Sequence, residues 1–338
     1  MQDAYKKQVA LLIDVLHEVA KEDRLALHGG TAINLFHLDM PRFSVDIDLT
    51  YIPYSDSRNN DLNDVRQSLD AVKNRLKTIF PHIHFKDERR AEEELKLLCI
   101  QDDAIVKVEV NQINRGLIAE PCTKVLCNRA EEEFNRFCEI KTVSVGQLWG
   151  GKVNAALERQ HPRDIFDIKN MLQGVGFTEE IKQGFLFLLL CGKRPIDEVL
   201  NPNFVDQRVV FKSQFAGMTD DNFSYADFEK IRADFIPMVG KSLTNKEKDF
   251  LLSFVEGKPN WQDFDYSSYP AVKWKLININ RLKEINPTKH KESVNKLAIF
   301  FTQQLTPSPM LAKLMSETQN NNAHEEQPAL RQNNTPRL

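Results

Sequence analysis

The stretch LHGGTAINLFHLDMPRFSVDIDLTY, Leu27 to Tyr51, decides how this chain is read. It opens on a short apolar run that ends in the pair Gly29–Gly30, and glycine pairs mark turns. TAINLFHL then reads as a helix. FSVDIDLTY reads as a strand, although strands avoid aspartate and this one carries two. Residues i and i+2 of a strand face the same way, so Asp46 and Asp48 share one face and Val45, Ile47 and Leu49 take the other. Two carboxylates that close repel each other in a dry setting unless a cation neutralises them. Mg²⁺ or Mn²⁺ would do so with hard oxygen ligands. An edge strand with one wet face explains the same pattern without metal. Gly29 and Gly30 permit close approach of a phosphate chain, and a helix starting at Thr31 offers free N–H groups to it. Taken alone they are equally an ordinary turn. Together, strand, glycine turn, helix and Asp-x-Asp strand would set a triphosphate cradle beside a metal pair, as phosphoryl or nucleotidyl transfer requires.

The flanking sequence supplies mixed α/β elements. Val9, Leu12, Ile13, Leu16 and Val19 recur at helical spacing. So do Leu62, Val65, Leu69, Val72, Leu76 and Ile79, the clearest amphipathic helix in the chain. HIHFKDE and ELKLLCIQDDAIVKVEVNQI read as strands, the latter folding back at Gln101–Asp103. In its second arm Val106, Val108 and Val110 alternate with Lys107, Glu109 and Asn111. Glu109 therefore stands on a polar face, as a third metal ligand or as a solvent-facing glutamate. From Val145 onward the pattern is mainly helical, with His161–Pro162 breaking one helix and starting the next. The expected fold is thus an α/β domain with a mixed sheet over 1–143, a mainly α-helical domain over 144–305, and a disordered tail over 306–338. The tail is rich in Asn, Gln, Pro, Ser and Thr, with room for one short helix at Met310–Ser316.

Bulk properties narrow the class. The chain has 338 residues and a formal net charge of −3, so any polyanion contact must come from a local patch. Its five cysteines form an odd set without a CxxC pair, which reads as reduced thiols in a cytoplasmic protein. The longest apolar run, near Gly184–Cys191, falls far short of the ~20 residues that span a bilayer. The N-terminus carries an amphipathic helix pattern rather than a signal peptide.

A second constellation lies in VSVGQLWGGKVNAALERQHPRDIFDIKNML. Lys152 interrupts a small and apolar helix, so its ammonium needs an anion: a triphosphate, or Asp164 or Asp167. Asp164 and Asp167 are three apart and neighbour each other on a helix surface. Asp164 lies near the helix start, where capping explains it; Asp167 lies a turn deeper, where capping explains it less well. Further on, YPAVKWKLININRLKE mixes Lys273, Lys275, Arg281 and Lys283 with Trp274. Such a mix grips RNA through phosphate contacts and stacking; helical periodicity alternatively makes Trp274, Ile277 and Leu282 core residues.

Gly29–Gly30, a helix and an Asp-x-Asp strand resemble motif I of the DNA polymerase β-type nucleotidyltransferase superfamily. More narrowly, GGTAINLFHLDMPRFSVDIDL resembles the AbiEii/AbiGii-type toxins, which include the MenT toxins, and shares their Arg-x-Ser-x-Asp-x-Asp form at Arg42–Asp48. The second glycine stands where the superfamily has serine, a hydroxyl that Thr31 would replace. Lys152, Arg163, Asp164 and Asp167 resemble the second signature of that family. The resemblance spans roughly residues 20–300. It implies a nucleotidyltransferase toxin of a toxin–antitoxin or phage-defence system, monomeric and held by a cognate antitoxin. Its reaction would move nucleotides from NTP to an RNA acceptor, plausibly the 3′ end of tRNA, and block translation. Asp46 and Asp48 would hold Mg²⁺. Gly29, Gly30, Thr31, Arg42 and Arg163 would hold the triphosphate, which Ser44 would border. Lys152 would neutralise phosphate charge. Asp167, and less so Asp164, would orient or deprotonate the acceptor hydroxyl. Ser44 is either a control point, silenced by phosphorylation, or a plain hydroxyl-bonding group. Two other readings compete: a metal-dependent ribonuclease, and a nucleotide-binding or antitoxin-binding module without turnover.

Overall fold

The computed structural model describes residues 3–55, 57–86 and 95–303; the expected tail and its short helix lie outside them. Helix α1 (Asp3–Val19) leads into β1 (Leu25–His28). The glycine pair opens α2 (Gly29–Ala32), two residues earlier than the sequence suggests, and α2 runs on into a π-helical turn (Ile33–His37). Then follow β2 (Asp46–Tyr51), α3 (Arg58–Ile79), β3 (His84–Lys86), β4 (Lys96–Gln101), β5 (Ala104–Asn111), β6 (Cys122–Val125), α4 (Asn128–Phe134) and β7 (Glu139–Thr142). The strands form one mixed sheet in the order β3-β4-β5-β2-β1-β7-β6. The strand of the two aspartates is therefore central, not an edge: β1 pairs with it antiparallel and β5 parallel. Its Ile47 and Leu49 are fully buried, as are Val106 and Val108 of β5, and α1 lies against β5, β2 and β7. One sheet face is thus a packed core, and the other carries Asp46 and Asp48.

Past Thr142 the described chain is helical: α5 (Val145–Arg159), α6 (Pro162–Gln173), α7 (Glu179–Cys191), α8 (Ile196–Leu200), α9 (Arg208–Gln214), α10 (Tyr225–Ser242), α11 (Asn245–Val255), α12 (Pro270–Ile285) and α13 (Pro287–Gln303). The expected break at His161–Pro162 is the start of α6, where His161 Nδ1 accepts from the Arg163 N–H at 3.1 Å. Helices α5 and α7 meet backbone to backbone. A Cβ on Gly184 would stand 2.0 Å from the Gly146 carbonyl oxygen, and one on Gly150 would stand 2.3 Å from the Phe185 nitrogen. The Glu180 carboxylate accepts from the Gly146 N–H at 2.9 Å, at the positive end of α5. This contact sets the position of α5, which carries Lys152. Since the obstructing atoms are backbone, Gly184→Ala must push the helices apart, and such overpacking costs roughly 1–3 kcal/mol or more. A fall in melting temperature is the expected result, and an unchanged melting curve would contradict this contact.

One expectation about α12 is not met. Trp274 and Ile277 are 48% and 63% exposed, so they are not core. Lys275 is buried and donates to the Leu189 and Arg194 carbonyls at 3.1 and 2.9 Å, closing the end of α7. Lys283 likewise donates to the Glu256 carbonyl at 2.9 Å. Among the described residues no helix is long and apolar enough to cross a membrane, and all five cysteines are free.

Candidate active site

The glycine turn and the aspartate strand are in direct contact. Gly29 has φ of +75°, in the left-handed region that favours glycine. A Cβ there would stand 2.7 Å from Asp48 Oδ2. One on Gly30 would stand 3.0 Å from both Arg42 Nη2 and Ser44 Oγ. Both positions are thus glycine because the carboxylate, the guanidinium and the hydroxyl close on the turn.

The open face is built by strand register. On parallel β2 and β5, Asp46 pairs with Lys107 and Asp48 with Glu109; on antiparallel β4 and β5, Lys96 pairs with Glu109. Burial raises the proton affinity of Asp46; Lys107 opposes that effect and the neighbouring Asp48 adds to it. From the helical side, Arg163 Nη1 comes within 4.0 Å of Asp46 Oδ2. Glu109, the candidate third metal ligand, is held by two lysines in this structure. Its carboxylate sits 2.9 Å from Lys107 Nζ and 3.5 Å from Lys96 Nζ. Burial would raise its pKa, but the Lys107 hydrogen bond and both lysine charges outweigh burial and hold it low. Among the described residues, no three His, Cys, Asp or Glu side chains converge as a metal site requires. Two carboxylates on one face, with substrate phosphates completing the shell, nevertheless suit Mg²⁺, which seldom uses an all-protein cage.

The second signature folds into a separate, buried network. Arg42, 2% exposed, donates from Nε and Nη2 to the two Asp167 oxygens at 2.8 and 2.6 Å, and from Nη1 to the Phe43 carbonyl at 2.8 Å. Lys152, 6% exposed, lies 2.9 Å from Asp164 Oδ1 and 2.9 Å from Asp167 Oδ2. Arg159 completes the chain at 2.9 Å from Asp164 Oδ2. Burial would raise both aspartates. Arg42 and Lys152 outweigh it at Asp167, as Lys152 and Arg159 do at Asp164, and both carboxyls are held below the usual range.

Several of the predicted site residues lie in this network or against the turn. Asp167 is fully buried, and Arg42 and Lys152 engage its two oxygens. Asp164 is neither a backbone cap nor exposed. Arg42 is paired with Asp167. Thr31 and Ser44 lie behind the turn: Thr31 Oγ1 is 3.0 Å from Ser44 Oγ and donates to the Asp46 carbonyl, and both residues are buried. Ser44 precedes β2, which begins at Asp46, so strand alternation does not carry it onto the open face. Asp46, Asp48, Glu109 and Arg163 are the predicted side chains that this face does bring together.

Sequence reasoning missed three participants. His28, opposite Asp48 in the β1–β2 register, lies 3.2 Å from Thr50 Oγ1; burial lowers its pKa, with Asp48 opposing. Asn34 donates to the Gly30 carbonyl at 2.9 Å and to Asp167 Oδ1 at 3.1 Å, tying the turn to α6. Its signal was a buried amide within an apolar run. Lys107, the third, was visible only as the polar partner in an alternating strand.

Residues 10–277 match the family model described as the nucleotidyl transferase AbiEii toxin of a type IV toxin–antitoxin system. Among solved structures, the chain is similar to MenT4, a nucleotidyltransferase toxin of Mycobacterium tuberculosis H37Rv, with a TM-score of 0.57 and 13% identity over 82% of this chain and 93% of that one. That likeness shows a shared fold. A candidate nucleotidyltransferase from H. pylori gives a TM-score of 0.44 at 13% identity, over 71% of this chain and 96% of that one, too little to argue from. No curated protein matches the sequence.

Proposed function

From the premise that this chain belongs to the AbiEii family of nucleotidyltransferase toxins, we propose that it transfers nucleotides from NTP to an RNA acceptor in a metal-dependent reaction. The acceptor is the 3′ end of tRNA and the consequence is blocked translation. The observation that carries this reading is the close contact of the Gly29 turn with the Asp48 carboxylate, which sets the helix-opening turn directly beside the two aspartates. Mg²⁺ or Mn²⁺, when bound, would supply charge stabilisation to the phosphoryl group undergoing displacement. Asp46 and Asp48 would hold it. Arg163, partly exposed beside Asp46, would face the nucleotide. Arg42, Lys152, Asp164 and Asp167 would act as positioning residues, fixing α5 and α6 against the glycine turn. The five free thiols suit the reducing cytoplasm, and the toxin family implies an antitoxin partner.

Incubation of the full chain with total RNA, Mg²⁺ and each labelled NTP in turn tests the proposal. Labelled, lengthened RNA is the expected product. Shortened RNA would point instead to a ribonuclease, and NTP binding without transfer to a module lacking turnover. The glycine turn favours transfer over hydrolysis, since cleavage of RNA needs no triphosphate cradle.

A further inference from the structure

The buried network raises a question about charge. A nucleoside triphosphate needs cations, yet two of the cations that the sequence offers for it, Arg42 and Lys152, are 2% and 6% exposed and bound to carboxylates. The open face has others. Lys107 Nζ, on a side chain 36% exposed, lies 2.9 Å from Glu109 and is drawn electrostatically toward Asp46 and Asp48 as well. Lys96, 24% exposed, lies 3.5 Å from the same glutamate. Both are placed there by register: Lys107 beside Asp46, and Lys96 beside Glu109. With Arg163, three cations stand against the three carboxylates Asp46, Asp48 and Glu109 on one sheet face.

A bound ligand would shift this balance. A divalent cation at Asp46 and Asp48 would repel the Lys107 ammonium, whereas a triphosphate beside it would attract it. We propose that Lys107, with Lys96 beside it, is the cation pair that receives the triphosphate tail of the nucleotide, and that Glu109 stores this pair instead of binding metal. Lys107 is thus a resident counter-ion of the aspartates before loading, and a phosphate partner afterwards. The exchange breaks no covalent bond and moves no proton. The inference rests on the nucleotidyltransferase reading above and names the residues of its phosphate subsite.

Equilibrium binding to the full chain tests it without turnover, using ATP, GTP, CTP and UTP and the four matching monophosphates in the presence of Mg²⁺. Lys107→Gln is expected to weaken the preferred triphosphate by ~10-fold or more, the scale of one charge-assisted contact. Monophosphates, which lack the tail, should change less than ~2-fold, and Lys107→Arg should restore part of the loss because it keeps the charge. Without nucleotide, Lys107→Gln should bind Mn²⁺ more tightly than the parent, by ~3-fold or more, since a competing cation has left the carboxylates. Unchanged triphosphate affinity in a folded Lys107→Gln protein would overturn the assignment, and so would equal losses for tri- and monophosphates. If the parent extends RNA while Lys107→Gln binds NTP normally, only this inference falls. If the parent binds no triphosphate, the nucleotide reading falls and takes the inference with it.

Discussion

Replacing Asp48 by Asn is expected to slow nucleotide transfer by at least ~100-fold, and Asp46→Asn should do the same. The size follows from the charge stabilisation that a metal supplies, several kcal/mol at ~1.4 kcal/mol per tenfold. Asn keeps the shape of the side chain and one oxygen but removes the negative charge that holds a hard cation. The fold should survive both changes. Asp46 and Asp48 are only partly buried, and the core face of their strand belongs to Ile47 and Leu49. Asp48→Asn also keeps the contact with Gly29, since the amide has the volume of the carboxylate. The measurement is incorporation of labelled nucleotide into RNA, read beside a melting curve for each variant. Near-normal transfer by either folded variant would remove the aspartates from the metal site.

The opposite pattern is expected for Asp167→Asn, which should damage stability first. In the parent, Asp167 is fully buried and receives Arg42, Lys152 and Asn34. Neutralising it leaves the Arg42 guanidinium buried without its carboxylate, while Lys152 retains only Asp164. Breaking a buried pair in this way costs roughly 3–5 kcal/mol. For a chain of this size that amounts to a melting-temperature drop of about 4–7 °C. A double replacement, Arg42→Met with Asp167→Leu, should cost less than the sum of its parts, because no lone charge remains. Equal stability of parent and Asp167→Asn would contradict the network.

The network also sets a pH dependence. Asp164 and Asp167 have folded-state pKa values below their ordinary 3.8. The unfolded chain therefore binds more protons than the folded one in that region, and stability rises with pH. Their contribution is fully present above about pH 4, by the ordinary aspartate range, and is lost as pH falls through the folded-state values. Asp167→Asn should thus flatten the acid limb of the stability curve, as well as lower its plateau.

Much of this was legible in the sequence. The glycine turn before an Asp-x-Asp strand, the alternation of Val106, Val108 and Val110, the amphipathic helix read from Asp61 to Phe80 and the break at Pro162 are all set by period and by local backbone chemistry. These signals need only neighbours within a few residues, so the order of elements and the facing of Asp46 and Asp48 could be read directly. The roles of the other charged side chains could not. An Arg, Lys or Asp is defined by what is charged near it and by how much water it keeps, and both come from distant segments. Arg42 meets Asp167 across 125 positions. Lys107 comes beside Asp46 only because β2 and β5 run parallel as neighbours in the sheet. Tertiary packing therefore decided that one set of ionisable residues closes into a buried scaffold while another is left open to a ligand. Local pattern places a carboxylate on a face, but desolvation and long-range charge determine whether it holds a helix in place or meets a substrate.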